Sequence, residues 1–334
     1  MAVIVDTTKD IPAIKIAHLC KSYRQRHNKT IHAVQDLSLS IPQGQILGFL
    51  GANGAGKTTT IKMICGLIIP SSGSVQVNGY NLAREHSAVM RQIGAVLEGT
   101  RNVYWRLSPW QNLRYFGHLK GYRGKELRTR AEQLLRELDL WERRDDPIRM
   151  FSRGMQQKVA IACALISDPP IVLLDEPTLG LDIQAARTVK EWIHRLARER
   201  GKTVVLTTHQ LDMAQELCDY VAIMRKGQLI THLPLENLLH HFHQERYQIR
   251  IKGLIPEGQK EQFDPLKIEV DGGETTLAGA VADQEQLQSM LGLLHALQLP
   301  LLSVERCEPD LEEVFMRLME ERQPVAGYQM SMRS

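Results

Sequence analysis

The chain has 334 residues, 43% of them hydrophobic and 24% charged, with a net charge of +3. That length suits two domains of roughly 100–200 residues each, and the composition excludes a disordered or low-complexity chain. A charge this small, with no basic stripe or tail, argues against nucleic acid as the main partner.

The five cysteines, Cys20, Cys65, Cys163, Cys218 and Cys307, are scattered and form no CxxC pair. They read as reduced thiols of a cytosolic protein, not as a disulfide or zinc framework. The first residues carry an early acid, Asp6, and no long apolar run, so no secretory signal is expected. No window approaches the 18 or so consecutive apolar residues of a spanning helix. A transport role would therefore need a partner that supplies the path.

In chain order, residues 14–19, 33–41 and 45–50 read as strands, with Pro42-Gln43-Gly44 as a turn between the last two. A glycine-rich loop leads into a helix over 57–67. Pro70-Ser71-Ser72-Gly73 makes the next turn, and 74–78 another strand. From about 108 to 165 the pattern is mainly helical, with apolar spacing near 3.6 over 127–140. A strand at 171–174, a helix at 185–200 and a strand at 203–207 follow. Strands alternating with helices predict an α/β fold whose mostly parallel sheet is covered on both faces.

The character changes around 234–245. Strands at 247–252, 267–271, 276–281 and 301–305, with helices at 284–297 and 310–321, predict a small second α+β domain. The expected division is a larger α/β domain over 1–235, an accessory domain over 246–322 and a loose tail over 323–334. His240-His241-Phe242-His243 lacks a carboxylate or cysteine at ligand spacing, so a solvated linker is preferred to a metal site.

Gly51-Ala52-Asn53-Gly54-Ala55-Gly56-Lys57-Thr58 fits G-x-x-x-x-G-K-[ST] at every fixed position, between a strand and a helix. The glycines let successive backbone N–H groups converge on one anion, and the helix presents its positive end. Lys57 is expected to reach the β- and γ-phosphates of a nucleotide. The Thr58 hydroxyl would ligate Mg²⁺, and the Thr59 hydroxyl would lie near the α-phosphate. The apolar run Ile171-Val172-Leu173-Leu174 then delivers Asp175 and Glu176 at a strand end, where α/β sheets place their ligands. Asp175 suits Mg²⁺, and Glu176 suits a base that polarises the attacking water.

Upstream of that strand, Phe151-Ser152-Arg153-Gly154-Met155-Gln156-Gln157-Lys158 resembles the signature of ATP-binding-cassette (ABC) ATPases. Ser152 is a suitable N-cap for the helix that follows. Leu179-Gly180-Leu181-Asp182 and Thr207-Thr208-His209 resemble two further loops of that family. The resemblance covers residues 14 to about 232. It implies a P-loop cassette with a RecA-like core, an antiparallel β-subdomain and a helical subdomain.

It also implies roles for particular residues. Ser152 and Gly154 would close over the nucleotide of a second copy in a homodimer, Asp182 would span the interface, and His209 would touch the γ-phosphate. Tyr23 would stack on adenine; a tyrosine in a strand is otherwise commonly core. Two positions depart from the pattern. Glu98 stands where a metal-contacting glutamine is common, and Arg153 replaces the first glycine of the signature pair. Neither change removes a catalytic group.

Tyr104, Trp105, Trp110, Tyr115, Phe116 and Tyr122 crowd the start of the helical stretch, either as its core or as an aromatic groove for a partner. In the family, this region receives a helix of the membrane subunit. Leu311-Glu312-Glu313-Val314-Phe315-Met316-Arg317-Leu318 resembles the closing helix of daunorubicin-resistance (DrrA-like) exporter ATPases. That resemblance implies an ATPase bound peripherally to separate integral membrane permease subunits. Two other classes remain beside it: a soluble cassette ATPase acting on ribosomes or DNA, and a module that senses ATP without turnover.

Overall fold

The computed structural model describes residues 11–24, 30–99, 102–241, 246–281, 284–307 and 310–320. The chain separates into a unit ending at Leu235 and a smaller unit, Glu236–Glu320. The larger unit opens with strands β1 (Ile14–Arg24), β2 (Thr30–Ile41) and β3 (Ile46–Leu50), then helix α1 (Lys57–Ile64). Strands β4 (Ser72–Val77) and β5 (Tyr80–Asn81), helix α2 (His86–Gln92) and strand β6 (Ile93–Val96) follow. Three helices come next: α3 (Pro109–Leu119), α4 (Gly124–Glu137) and α5 (Arg153–Leu165). The unit closes with β7 (Ile171–Asp175), α6 (Ile183–Arg198), β8 (Thr203–Thr208), α7 (Leu211–Leu217), β9 (Tyr220–Arg225) and β10 (Gln228–Pro234).

Two sheets result. One is antiparallel, in the order β2-β1-β4-β5; the other runs β10-β9-β3-β8-β7-β6 and is parallel except at β10-β9. Strands β3 and β7 lie inside the second sheet, and every residue of each is buried. This explains why Ile46–Leu50 and Ile171–Asp175 are near-continuous apolar runs without alternation. The two sheets share one apolar cluster that includes Ile14, Leu37, Phe49, Ile61, Leu173 and Val205.

The helical insert follows its local sequence. Ser108 caps α3 in a reciprocal box with Gln111, and Pro109 takes the first helical position, where no N–H is required. Leu127, Ala131, Leu134 and Leu135 form the buried stripe of α4. Helix α1 ends at Ile64, three residues before the expected 67. Gly66 turns left-handed at φ 67°, and the amides of Leu67 and Ile68 fold back onto the Lys62 carbonyl. Strand β1 runs on to Arg24 through register shifts, beyond the expected end at 19.

The smaller unit contains β11 (Arg246–Lys252), β12 (Lys267–Asp271), β13 (Glu274–Ala280), α9 (Gln284–Ala296), β14 (Leu301–Cys307) and α10 (Leu311–Glu320). Its four strands form an antiparallel sheet, β12-β13-β11-β14, over a core of Ile249, Ile251, Phe263, Leu277, Met290 and Leu294. A short helix, α8 (Leu235–His241), precedes it. His240 and His241 therefore end a helix instead of standing in a linker; Phe242, His243 and the expected tail over 323–334 lie outside the described residues. Among the described residues, no helix is long and apolar enough to cross a membrane.

Candidate active site

The carboxyl ends of β3, β7 and β8, adjacent in the parallel sheet, deliver the polar groups. From β3 the chain enters the loop 51–56, which is held by tight backbone contacts. A Cβ on Gly51 would lie 2.4 Å from the Met224 carbonyl oxygen, and one on Gly56 would lie 2.5 Å from that of Ala33. Both glycines have positive φ, so size and conformation demand glycine together. At Gly54, by contrast, a Cβ would meet nothing within 4 Å. The first helical bond runs from Thr60 N to Gly56 O, 2.9 Å. The amides of Lys57, Thr58 and Thr59 thus remain the open donors of the helix start, where an anion is favoured.

Lys57 is only 6% exposed, and its Nζ donates to Gly51 O at 2.6 Å and to Ala52 O at 3.3 Å. Burial lowers its pKa, while the charges of Glu176, Asp175 and Glu98 pull it back up. A cation partly stripped of water, facing three carboxylates, is suited to meeting further negative charge.

Asp175 ends β7 at 2% exposure. Its Oδ1 accepts from Thr58 Oγ1 at 3.0 Å and from Thr207 Oγ1 at 2.5 Å, and its Oδ2 from Glu98 N at 3.4 Å. These bonds offset the cost of burying the carboxylate. Hydroxyl and carboxylate oxygens side by side are the hard donors Mg²⁺ prefers. That ion usually takes only one or two protein carboxylates and completes its shell with phosphates and water. Among the described residues, no group of three or more His, Cys, Asp or Glu side chains could hold a metal ion. The Thr58 hydroxyl and the Asp175 carboxylate could hold a metal jointly with a phosphate; of Glu98, it is the backbone amide that meets Asp175.

Glu176 adopts φ 49°, a left-handed conformation that is costly for a non-glycine residue and recurs at functional sites. Its amide donates to Thr207 O at 3.1 Å and Thr207 Oγ1 at 3.0 Å. Its carboxylate faces His209 Nδ1 at 3.1 and 3.0 Å. An ionised carboxylate only accepts, so the Nδ1 proton of His209 lies on that side. Thr207 thus ties Asp175 to Glu176 by donating to one and accepting from the other. The sequence reading gave Thr207 no role of its own; its value appears only with the β7–β8 register, which pairs Asp175 with Thr207.

The remaining candidates lie elsewhere on this chain. Ser152 caps α5 by accepting from Met155 N at 3.3 Å, and Asp182 caps α6 by accepting from Ala185 N at 2.8 Å. Gly154 is pressed against α6, where a Cβ would come 2.6 Å from Ala185 Cβ. Among the described residues, no hydrogen bond or ion pair joins Ser152, Gly154 or Asp182 to the loop 51–56. Tyr23 is 38% exposed, with Lys21 Nζ 5.1 Å from its ring centre, so it is a surface ring and not core. The aromatic run divides. Tyr104, Trp105 and Tyr115 are exposed, with Tyr104 edge-on to Tyr115 at 4.9 Å, whereas Trp110, Phe116 and Tyr122 are half-buried.

A glycine-rich loop at the end of β3, two threonines and a histidine at the end of β8 and two acids at the end of β7 define a P-loop ATPase cassette with the RecA-like core, antiparallel β-subdomain and helical insert of the ABC class. The ABC transporter family model matches residues 34–179, and the model of a domain of unknown function (DUF8691) matches 246–305. The ABC transporter ATP-binding protein NatA of Bacillus subtilis (strain 168) is 40% identical over 219 residues, 66% of this chain and 89% of NatA. The daunorubicin/doxorubicin resistance ATP-binding protein DrrA of Streptomyces peucetius is 31% identical over 315 residues, 93% of each chain. Among solved structures, the dimeric post-hydrolysis state of the ATP-binding cassette MJ0796 bound to ADP and Pi matches with a TM-score of 0.61 and 28% identity, over 66% of this chain and 98% of that one. The chain belongs to the ATP-binding proteins of ABC transporters, and its activity is the ATP hydrolysis by which that family powers transport.

Proposed function

We propose that two copies of this chain close head to tail around two ATP molecules with Mg²⁺ and, by opening and closing, drive separate integral membrane permease subunits that export a drug, a lipid, a polysaccharide or a similar cargo. The chain would sit on the cytoplasmic face of the membrane, held there by the permease. The observation behind this reading is the convergence of Lys57, Thr58, Asp175, Glu176 and His209 at neighbouring strand ends. Export is the direction named for one relative, the Nod factor export ATP-binding protein I of Ralstonia nicotianae, which is 32% identical over 92% of this chain and 94% of its own length, while DrrA is named for resistance to daunorubicin and doxorubicin.

In this mechanism Gly51, Ala52, Asn53, Gly54, Ala55 and Gly56 wrap the phosphates, and Lys57 leaves its carbonyl partners to meet the β- and γ-phosphates. Thr59 lies near the α-phosphate, and Tyr23 supports the adenine. Thr58, Asp175 and Glu98 would hold Mg²⁺, which would neutralise phosphate charge there. Glu176 takes a proton from water as the water oxygen bonds to the γ-phosphorus and the bond to ADP breaks. His209 orients Glu176 and turns to the γ-phosphate. Ser152, Gly154 and Asp182 come from the second copy, which accounts for their separation from the loop in one chain.

The test is to express the Glu176→Gln form in its host, add ATP and identify what co-purifies in mild detergent. A polytopic membrane protein is the expected result. Ribosomal or DNA-repair proteins without a membrane partner would contradict the reading.

A further inference from the structure

Arg153 is the first residue of α5, at the positive end of a helix that disfavours a cation. No acidic side chain among the described residues pairs with it. Its Nη1 lies instead beside Gly180 of the turn 179–182. A Cβ added to Gly180 would lie 2.8 Å from Arg153 Nη1, with no other group beyond the turn itself within 4 Å. Gly180 has φ 71°, and its missing Cβ leaves the space in which Nη1 lies. One residue on, Gly154 abuts Ala185 in the first turn of α6. The two capped helix starts therefore lie side by side, with Arg153 reaching across to the turn between β7 and α6. That turn is flanked by Leu179 and Ile183, 47% and 90% exposed, apolar surface of the kind a second copy would cover.

We propose that Arg153 is a positioning residue that clamps the turn 179–182 to the start of α5, so that the surface one copy presents to the other's nucleotide closes as a single rigid piece. This rests on the head-to-tail dimer proposed above. In that account, Arg153 replaces the freedom of the usual glycine with a fixed spacing between Ser152 and Asp182. It acts on closure and not on the first binding of ATP.

The test uses the Glu176→Gln chain, comparing by light scattering the ATP concentration that dimerises half of it. Single-chain affinity for a fluorescent ATP analogue and the thermal midpoint serve as controls. Arg153→Gly should raise the ATP needed for dimerisation about tenfold and leave both controls unchanged. Arg153→Lys should recover only part of that loss, because an ammonium is a compact point charge without the planar fork of donors. Gly180→Ala places a methyl where the guanidinium sits, so R153G and G180A together should be no worse than the weaker of the two single variants.

Unchanged dimerisation of R153G, or losses that simply multiply in the double variant, would overturn the clamp. A parent chain that binds ATP yet stays monomeric would instead remove the dimer reading, and the clamp with it.

Discussion

The phosphate side and the signature side of this cassette are built in opposite ways. On the first, Lys57, Thr58, Asp175, Glu176, Thr207 and His209 are joined to one another or to the loop within a single chain. On the second, Ser152 and Asp182 spend their side chains capping their own helices, and the surface around them carries exposed Leu179 and Ile183. One half is internally wired chemistry; the other is a shaped surface with nothing of its own chain to act on. The difference teaches that a site can be half complete in a monomer, and that the incomplete half is recognised by helix starts lying side by side.

The comparison is tested hardest on the wired half. Glu176→Gln should lower ATP turnover at least 10²-fold while nucleotide binding persists, as for loss of a positioned base. Phosphate release and equilibrium binding measured on the same sample decide this, and undiminished turnover would remove Glu176 from the mechanism. Next in size are the loop glycines. Gly56→Ala meets both a positive φ and a backbone oxygen at 2.5 Å, so a loss of about 2–4 kcal/mol in folding stability is expected. Gly54→Ala meets only the backbone preference and should cost about 1 kcal/mol. Chemical denaturation compares the two, and equal losses would deny that loop packing drives the difference.

Alkaline unfolding tests whether both halves are equally closed inside. Burial raises the thiols of Cys163 in α5 and Cys218 after α7, and pushes Cys65, just past α1, up to about 12. A raised folded pKa contributes stability that is whole below the unfolded value, near 8.5–9, and is lost as pH rises towards the folded value. At pH 9.5 each buried thiol should therefore cost about 0.8–1.4 kcal/mol relative to pH 7.5. Denaturation curves at the two pH values measure this, and a Cys163→Ala variant should lose correspondingly less. The smallest expected effect is at the caps. Ser152→Ala should cost about 1 kcal/mol of stability through the freed amide at Met155, with little change in single-chain ATP affinity. A large drop in that affinity would place Ser152 on the phosphate side.

Much of this contrast is legible in the sequence because it is local. The loop 51–58 and the Asp175-Glu176 pair are read from spacing along one strand and one helix start. The role of Thr207 is not local, since it depends on a parallel register between β7 and β8, whose paired residues are 32 apart. Strands β9 and β10 escaped for a similar reason at one edge, because β9 pairs with β3 from far upstream. Yet the turn between them carried a usable signal. Lys226 and Gly227 both have positive φ, 50° and 84°, as a tight two-residue hairpin requires, and a residue–Gly pair between apolar runs announces it. The end of α1 shows the limit of periodicity, for the apolar pattern continues through Leu67 while Gly66 has already turned the chain.

The central claim is that the two halves act across two chains, and mixing inactive variants tests it most directly. Lys57→Ala disables the phosphate half. Ser152→Asp keeps a good N-cap on α5 but sets a carboxylate where a phosphate must come. Each alone should be inactive. Mixed in equal amounts, half the dimers would hold one intact site of two, and ATPase activity should return to about a quarter of the parent value. If the mixture stays as inactive as its components while both proteins remain folded and dimerise, the two halves do not meet across chains and the account is wrong.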